Sequence, residues 1–576
     1  MTSSSWASSI ISNPIPKWQL ALVVGAPVAL GLGYVYYKNN SKPSLKPTRD
    51  QLKDGVNEHL TKSDKQISID GDVTSSSAEP PSEDPMKKAQ KFKEMGNKYF
   101  NDGKYDEAIL QYSKAIETCL EGNPTELSIF YQNRAAAYTK LKKYSAVKAD
   151  CSKALELNPR YIKALIRRSH ALEECNDLET ALEDITAACI LERFANEHSL
   201  FFADKLLKEL GRQHAQEFMA TKEPVMPSKH FIKTYFEALR NDPILKEYDI
   251  ISQNLTSEYA KAVQCVKNQN YEKVIPHCNK ELESLQADST SDLKMKVHLL
   301  RGTFHLLLGE HDKAMSDLNT VIMSDSANKD LKVNALIKRA SMHVQLENPE
   351  KSFCDFSEAI ELDSNCGDIY HNRAQVNLLL ERIDEAKADF EKAAQLHPNS
   401  GLFYVQKCYA DYRYATTKKD QYLLQSSMQD FQKAFEKFPD CSECYTLYAQ
   451  ILCDSQEYEQ ADEYFTKAME KDPQNATIYV HKGLLQLHWN TNIDKAVEYI
   501  KNALELDDKC EFGYETLGSI EVQRGNLKEA INLFDKALML GRTTMEVTHI
   551  FSLKDAAKTQ LTVSERLGMN LISNIH

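Results

Sequence analysis

The chain has 576 residues, which is too long for one compact core, so several domains or a repeat array are expected. Glycine and proline are scarce, with 19 and 18 residues, which disfavours a chain of turns and short strands. The formal net charge of −13 argues against general nucleic-acid binding, which requires a basic surface. Because Ala, Leu, Lys and Glu abound, the composition indicates an all-α protein.

The first predicted element is an uncharged stretch at residues 18–37, WQLALVVGAPVALGLGYVYY. As a helix it would be about 30 Å long, which matches the hydrocarbon core of a bilayer. A signal peptide would need charge before the run and a small-residue cleavage site after it, and only Lys17 precedes it. The basic residues that follow are Lys38, Lys42, Lys46 and Arg49. The positive-inside bias therefore predicts a single-pass anchor, with the short segment 1–17 beyond the membrane and the C-terminal portion in the cytosol.

Residues 38–85 are rich in serine, proline and charge and contain few apolar side chains. Such a composition cannot bury enough apolar surface to fold, so we predict a disordered cytosolic linker. A flexible chain of this length has an r.m.s. reach of roughly 40 Å. The linker would let the folded part move freely above the membrane.

From residue 89 onward one pattern of small, aromatic and alanine positions recurs at a spacing of about 34 residues. In its first instance the positions are Gly96, Tyr99, Ala108, Tyr112 and Ala115. This is the tetratricopeptide signature, in which two antiparallel helices cross at small residues and aromatic rings fill the gaps. About eleven instances are present. They predict a superhelical solenoid.

The register of the repeats breaks between Arg193 and Leu255, where two prolines suggest a joint. The break divides the array into two solenoid domains. The predicted segments are a three-repeat domain at 86–195, a helical connector at 196–254, a C-terminal repeat domain at 255–544 and further helices at 545–576.

Five polar residues of the first three repeats fall at positions that face the concave groove of such a solenoid. They are Lys93, Asn97, Asn133, Lys163 and Arg167. The pairs 93/97 and 163/167 have i,i+4 spacing, so each pair projects from one helix face. The set contains only side chains that can donate to an anion and no carboxylate. It predicts a site for an anionic group such as the carboxylates at a peptide C-terminus.

The runs FKEMGN, FYQNRAAAY and YIKALIRRSHAL, which contain these residues, resemble the dicarboxylate clamp of tetratricopeptide co-chaperones. That family binds the C-terminal Glu-Glu-Val-Asp of the seventy- and ninety-kilodalton heat-shock chaperones. All five clamp positions match. The resemblance therefore implies that these chaperones are partners of the chain.

The whole layout of anchor, linker, clamp and further repeats resembles the seventy-kilodalton receptor family of the mitochondrial outer-membrane translocase, in a yeast-like form. The resemblance implies an import receptor in that membrane with its N-terminus in the intermembrane space. It also implies that chaperones deliver precursors, such as carriers with internal signals, and that the receptor passes them to other translocase subunits. Since solenoid faces can pair, a homodimer is left open.

The C-terminal repeats offer a mixed, partly apolar set of side chains at the same groove-facing positions. Those singled out are Leu402, Val405, Tyr409, Leu447, Val480, Leu484 and Phe512. A surface of this kind suits varied, partly apolar clients, so we predict a precursor-binding groove. The alternative is that these side chains pack against neighbouring helices.

No catalytic motif is recognisable, and we predict neither an enzyme nor a cofactor. The thirteen cysteines are scattered and read as reduced thiols of a cytosol-facing protein. Cys441 and Cys444 have metal-ligand spacing, but no second Cys or His pair follows at the spacing of a zinc site, so no metal is predicted.

Other functions compete with that of an import receptor. The clamp would serve equally in a co-chaperone adaptor anchored to another cytosol-facing membrane. A repeat-containing enzyme would need a non-repeat domain of about 100 residues or more, and none is visible. A purely structural scaffold would not need five clamp residues in register.

Overall fold

The computed structural model of the chain describes residues 84–119, 123–246, 257–285 and 292–568. These ranges are helical and contain no strand, which confirms the predicted all-α class for them. The predicted anchor and nearly all of the predicted linker lie outside the described residues. Inside them, no helix is both long enough and apolar enough to span a bilayer.

The described residues contain 26 α-helices. The first nine are α1 (Pro85–Asn101), α2 (Tyr105–Thr118), α3 (Pro124–Lys140), α4 (Tyr144–Leu157), α5 (Ile162–Glu174), α6 (Leu178–Leu191), α7 (Glu197–Thr221), α8 (Lys229–Glu237) and α9 (Pro243–Lys246). Then come α10 (Glu258–Lys267), α11 (Val274–Ser284), α12 (Asp292–Leu307), α13 (His311–Met323), α14 (Lys329–Gln345), α15 (Pro349–Leu362), α16 (Gly367–Leu379), α17 (Ile383–Leu396) and α18 (Gly401–Lys418). The last are α19 (Gln421–Lys437), α20 (Ser442–Asp454), α21 (Tyr458–Lys471), α22 (Ala476–Asn490), α23 (Ile493–Leu506), α24 (Glu511–Gln523), α25 (Leu527–Leu540) and α26 (Thr544–Leu567).

Twenty-two of these helices form eleven consecutive hairpins, α1–α2 to α5–α6 and then α10–α11 to α24–α25. The turn of every hairpin contains one residue with positive φ, namely Gly103, Lys142, Asn176, Gln269, Gly309, Glu347, Glu381, Lys419, Gln456, Thr491 or Gly525. A left-handed residue ends the first helix and reverses the chain within a few residues. The second helix can therefore begin at once and run antiparallel to the first.

The two helices of a hairpin cross where the first helix carries a small residue. A Cβ atom added at Gly96 would lie 2.5 Å from the ring of Tyr112, and one at Gly518 would lie 2.7 Å from the ring of Phe534. Both rings are buried. Glycine at these positions lets an aromatic ring of the second helix pack flat on the first helix, which explains the pairing of small and aromatic positions in the sequence.

Five hairpins share an ion pair between an arginine on the first helix and an aspartate sixteen residues later on the second. The pairs are Arg134–Asp150, Arg168–Asp184, Arg301–Asp317, Arg339–Asp355 and Arg373–Asp389. In each pair two guanidinium nitrogens bind the two carboxylate oxygens at 2.5–2.9 Å. In the first pair Arg134 Nη1 also donates to Ser113 Oγ of the preceding hairpin at 2.9 Å. These arginines therefore join the two helices of a hairpin and, as Arg134 shows, also reach the neighbouring hairpin.

The chain divides into two compact units, whose described parts lie within residues 84–184 and residues 185–568. We call them the N-terminal unit and the C-terminal unit. In the C-terminal unit α7 packs along α26, more than 300 residues later in the sequence. Ser552 Oγ donates to the Leu207 carbonyl at 3.2 Å, and a Cβ added at Gly211 would lie 2.8 Å from the Thr548 carbonyl oxygen. The helix predicted as part of a connector is therefore packed into the C-terminal unit.

Residues 222–246, which we call the connector segment, follow α7 and contact widely separated repeats of the C-terminal unit. Lys222 donates to the carbonyl of Gly541, and the ring of Phe231 lies 3.9 Å from the Arg542 guanidinium. At the other end, Asp242 forms a buried ion pair with Lys338 at 2.9 Å. Three further connector side chains, Ile232, Tyr235 and Phe236, belong to the hydrophobic core that α10 to α16 form. The predicted domain boundaries stay predictions.

The Arg134–Asp150 pair provides a test of the hairpin ion pairs. In Arg134→Met the buried Asp150 carboxylate loses its partner, which should cost about 3–5 kcal/mol of local stability. Amide hydrogen exchange of α3 and α4 measures this as a lower free energy of opening. The matched control is Lys153→Met, which breaks the exposed Lys153–Glu156 pair and should cost less than about 1 kcal/mol. Equal losses in the two variants would show that the buried pair does not hold the hairpin.

Candidate functional site

The five predicted clamp residues lie on the first helices of the three N-terminal hairpins. Lys93 and Asn97 are one turn apart on α1, Asn133 is on α3, and Lys163 and Arg167 are one turn apart on α5. Helix α3 contacts both α1 and α5. The three helices are therefore neighbours, and we call the surface that carries these residues the clamp face.

Asn97 and Asn133 are in direct contact across α1 and α3. Asn133 Nδ2 donates to Asn97 Oδ1 at 3.4 Å, and Tyr112 Oη donates to the same oxygen at 2.8 Å. Burial raises the pKa of Tyr112 to about 12, so its hydroxyl remains a donor at neutral pH. Because the Asn97 oxygen accepts both bonds, the amide nitrogen is the Asn97 group that can donate to a ligand.

Arg167 is positioned by the backbone of α3. Its Nη1 donates to the carbonyl oxygen of Gln132 at 3.3 Å, and Tyr161 Oη donates to Gln132 Oε1 at 3.3 Å. The side chain of Arg167 is half-buried, whereas that of Lys163 on the same helix is exposed. The guanidinium is thus held near α3, next to the residue that precedes Asn133.

Lys93 lies beside a carboxylate that the sequence pattern did not reveal. Its Nζ atom is 3.8 Å from Glu126 Oε2 and 5.9 Å from the centre of the Phe130 ring. Gln90 Nε2 donates to the same Glu126 oxygen at 2.6 Å. The clamp face therefore includes an internal anion that an anionic ligand would meet at Lys93.

Two more arginines lie next to clamp residues in the sequence but have structural roles. Arg134 follows Asn133 and Arg168 follows Arg167, and both bind the buried aspartates of their own hairpins. The Arg–Asp spacing of sixteen recurs along the sequence and could have identified these arginines. Tyr112 is a periodic position of the repeat, but the pattern does not show that its hydroxyl binds Asn97. Glu126 carries no such periodic signal, because its proximity to Lys93 depends on which helices become neighbours.

The C-terminal unit contains a cavity of about 610 Å³. It lies between the connector segment and the ends of helices in hairpins α18–α19 to α24–α25. Its wall includes Phe231 of the connector segment together with Leu402, Thr446 and Phe512 of the repeats. We call it the C-terminal cavity.

The seven predicted groove residues separate into two groups. Leu402 and Phe512 line the C-terminal cavity. The other five are Val405, Tyr409, Leu447 and Val480, which are buried in the hydrophobic core, and Leu484, which is half-buried against that core. In α20 every residue from Cys444 to Leu452 is buried. Apart from Thr446, which borders the C-terminal cavity, this run has no open groove face, because neighbouring elements cover it. We therefore assign these five side chains to the core.

The cavity wall carries two half-buried carboxyl groups, Glu443 and Glu511. Burial raises the pKa of Glu443 well above its usual value, and the nearby Cys441, Asp472 and Glu237 groups raise it further. Burial also raises the pKa of Glu511, and Glu546 adds to the effect. Glu443 Oε1 is buried and has no hydrogen-bond partner among the described residues. Both environments favour the neutral carboxylic acid.

The described residues show no cluster of three or more His, Cys, Asp or Glu side chains that could hold a metal ion. Cys441 and Cys444 are free thiols at the start of α20. Neither the clamp face nor the C-terminal cavity thus offers a recognisable metal centre.

Comparison with known proteins finds tetratricopeptide-repeat models and mitochondrial import receptor subunits. Sequence models described as "Tetratricopeptide repeat" match residues 128–161, 367–400 and 442–475. The chain is 42% identical to the human "Mitochondrial import receptor subunit TOM70", covering 96% of this chain and 93% of that protein. The Saccharomyces cerevisiae protein of the same name is 26% identical and covers 83% of this chain and 81% of that protein.

The "Crystal Structure of the Yeast Tom70" covers 83% of this chain and 97% of that chain, with 24% identity and a TM-score of 0.48. The human relative is closer in sequence than the yeast relative, at 42% against 26% identity. The yeast-like form expected from the sequence is therefore not the closer match. The match to the human relative extends over nearly the whole of both chains, so it does not reflect the repeats alone.

Proposed function

Because the chain belongs to the TOM70 family of mitochondrial import receptor subunits, we propose that it is an outer-membrane receptor which docks cytosolic chaperones and accepts the precursors they carry. In this proposal the anchor at 18–37 places the N-terminus in the intermembrane space and the repeats in the cytosol. Other subunits of the translocase would receive the precursor. No catalytic step is part of the proposal.

The clamp face supports chaperone docking through a peptide C-terminus. It presents Lys93, Asn97, Asn133, Lys163 and Arg167 on three adjacent helices. A Glu-Glu-Val-Asp terminus carries four carboxylates, and charge-assisted bonds from ammonium and guanidinium groups bind such groups strongly. The contact between Asn97 and Asn133 is the observation that carries this assignment, because it brings the amides of two repeats to one point.

The C-terminal cavity is the better candidate for the precursor site, in place of an open groove. It is enclosed by repeats of the C-terminal unit and by the connector segment, and its wall mixes apolar and polar side chains. Leu402 and Phe512 supply apolar surface that a precursor segment could cover. Its volume would hold a few side chains, not a folded domain.

The clamp is tested by titrating the full chain in detergent with a labelled peptide ending in Glu-Glu-Val-Asp. Arg167→Ala should weaken binding roughly ten- to a hundredfold, since a charged hydrogen bond contributes about 1.5–3 kcal/mol. Lys153→Ala on the exposed side of α4 is the matched control and should leave the affinity unchanged. The C-terminal amide of the peptide should bind much more weakly than the free acid. Equal affinity of acid and amide would contradict a carboxylate clamp.

Glu126 provides a second test that depends on this structure. Glu126→Gln removes the anion 3.8 Å from Lys93 and retains a side chain of the same size next to Gln90. The same peptide should then bind about two- to fivefold more tightly, because a partly exposed ion pair no longer competes with the ligand for Lys93. In a Lys93→Ala background the effect of Glu126→Gln should disappear. A gain that persists without Lys93 would show that the two residues act independently.

The cavity is tested with a precursor of a membrane carrier made by cell-free translation. Leu402→Asp places a charge in the apolar part of the wall and should reduce precursor binding at least about tenfold. Leu423→Asp, at a more exposed leucine of α19, is the matched control. Both variants should keep the affinity for the Glu-Glu-Val-Asp peptide, which reports that the N-terminal unit is intact. Unchanged precursor binding by Leu402→Asp would remove the cavity from the proposal.

A further inference from the structure

Two cysteines lie together at the start of α20, in the wall of the C-terminal cavity. Cys441 is the N-cap residue, and Cys444 is the third residue of the helix. The backbone of Cys441 is extended, with φ −84° and ψ 100°, so the side chain stands at the open end of the helix. Cys-x-x-Cys at a helix N-terminus is an arrangement in which one thiol is activated and the second can pair with it.

The two cysteines share the first turn of α20, where the Cys444 amide donates to the Cys441 carbonyl oxygen at 3.1 Å, and their thiols have different environments. A hydrogen bond from the Cys444 thiol lowers the pKa of Cys441, and first-turn amides and the Arg240 guanidinium act in the same direction, whereas burial opposes them. The same bond and burial raise the pKa of Cys444. Cys441 is therefore the group that ionises, and Cys444 remains a thiol that keeps its proton.

Access to the two sulfurs differs as well. Cys441 is half-buried and lines the C-terminal cavity, whereas Cys444 is buried in the hydrophobic core of the repeats. A small oxidant that enters the cavity meets Cys441 first. Cys444 can then react with Cys441 from the protein side, since the two residues lie within one turn at the start of the same helix.

We propose that Cys441 and Cys444 form a reversible disulfide in response to hydroperoxide. The Cys441 thiolate attacks one peroxide oxygen, the O–O bond breaks, and the product is a sulfenic acid with hydroxide as the leaving group. The Cys444 thiol then attacks the Cys441 sulfur, and the sulfenic oxygen leaves as water. In sum two thiols and one hydrogen peroxide give one disulfide and two waters. A dithiol reductant returns both thiols by exchange.

The disulfide would change the electrostatics of the cavity wall. A Cys441 thiolate is one of the negative groups that raise the pKa of Glu443, together with Asp472 and Glu237. Oxidation removes that negative charge and so makes ionisation of Glu443 less unfavourable. The redox state of the pair thereby sets the charge around the half-buried Glu443, whose buried Oε1 has no partner among the described residues. This inference does not depend on what the cavity binds.

The test treats the full chain in detergent with increasing hydrogen peroxide at pH 7 and maps the cysteines by mass spectrometry. We expect a Cys441–Cys444 disulfide at peroxide levels that leave the exposed Cys175 and Cys354 reduced, and we expect dithiothreitol to reverse it. In Cys444→Ser the sulfenic acid on Cys441 should persist and be trapped by dimedone. Oxidation of Cys175 or Cys354 before Cys441, or pairing of Cys444 with the buried Cys408, would overturn the proposal.

A second measurement uses the unaltered chain and so does not depend on a variant that folds. The rate of alkylation by iodoacetamide is followed at each cysteine as a function of pH. The pH midpoint for Cys441 should lie about one unit or more below that for the exposed Cys354, as is typical of the reactive thiol in this motif. Equal midpoints would show that Cys441 is an ordinary thiol and would overturn the assignment.

Discussion

The architecture of the C-terminal unit depends on the buried ion pair between Asp242 and Lys338. Taking two charges out of water is unfavourable, and it is tolerated here because Lys338 Nζ binds both Asp242 at 2.9 Å and Thr303 Oγ1 at 2.8 Å. The pair fixes the end of the connector segment against repeats almost 100 residues further along the chain. Its other end is fixed by Lys222 and Phe231. The segment thus becomes part of the core and forms one wall of the cavity.

Polar side chains of the first helices have two different roles. In each of five hairpins an arginine is used within the fold, where it binds a buried aspartate with both nitrogens of its fork. The predicted clamp residue Asn133, next to Arg134, has a longer contact with Asn97 at 3.4 Å. Strong internal pairing at one position keeps the helices rigid, and weaker contacts at the next leave groups that a ligand can engage. In the proposed function, adjacent residues on one helix therefore divide stability and binding between them.

The two candidate sites differ in how far the sequence could predict them. Periodicity placed Lys93, Asn97, Asn133, Lys163 and Arg167 on the first helices of three hairpins, and the structure has them on α1, α3 and α5. Glu126 was not foreseen, because its proximity to Lys93 depends on the packing of α3 on α1. In the C-terminal unit the same periodicity selected Val405 and Leu447 for an open groove, and both are in the core. The position of a residue within its repeat does not show whether another part of the chain covers that residue.

The sequence by itself determined the all-helical class and the spacing of the hairpins, since small and aromatic residues must recur wherever two helices cross. It also determined which side chains carry positive charge on the first helices. Only the tertiary structure decided that α7 packs on α26 and that side chains of the connector segment join the hydrophobic core of the C-terminal unit. These contacts join residues hundreds of positions apart, and they depend on shape and burial across many repeats. A local pattern contains no information about such contacts, because each repeat in isolation would look the same whether its inner face were open or covered.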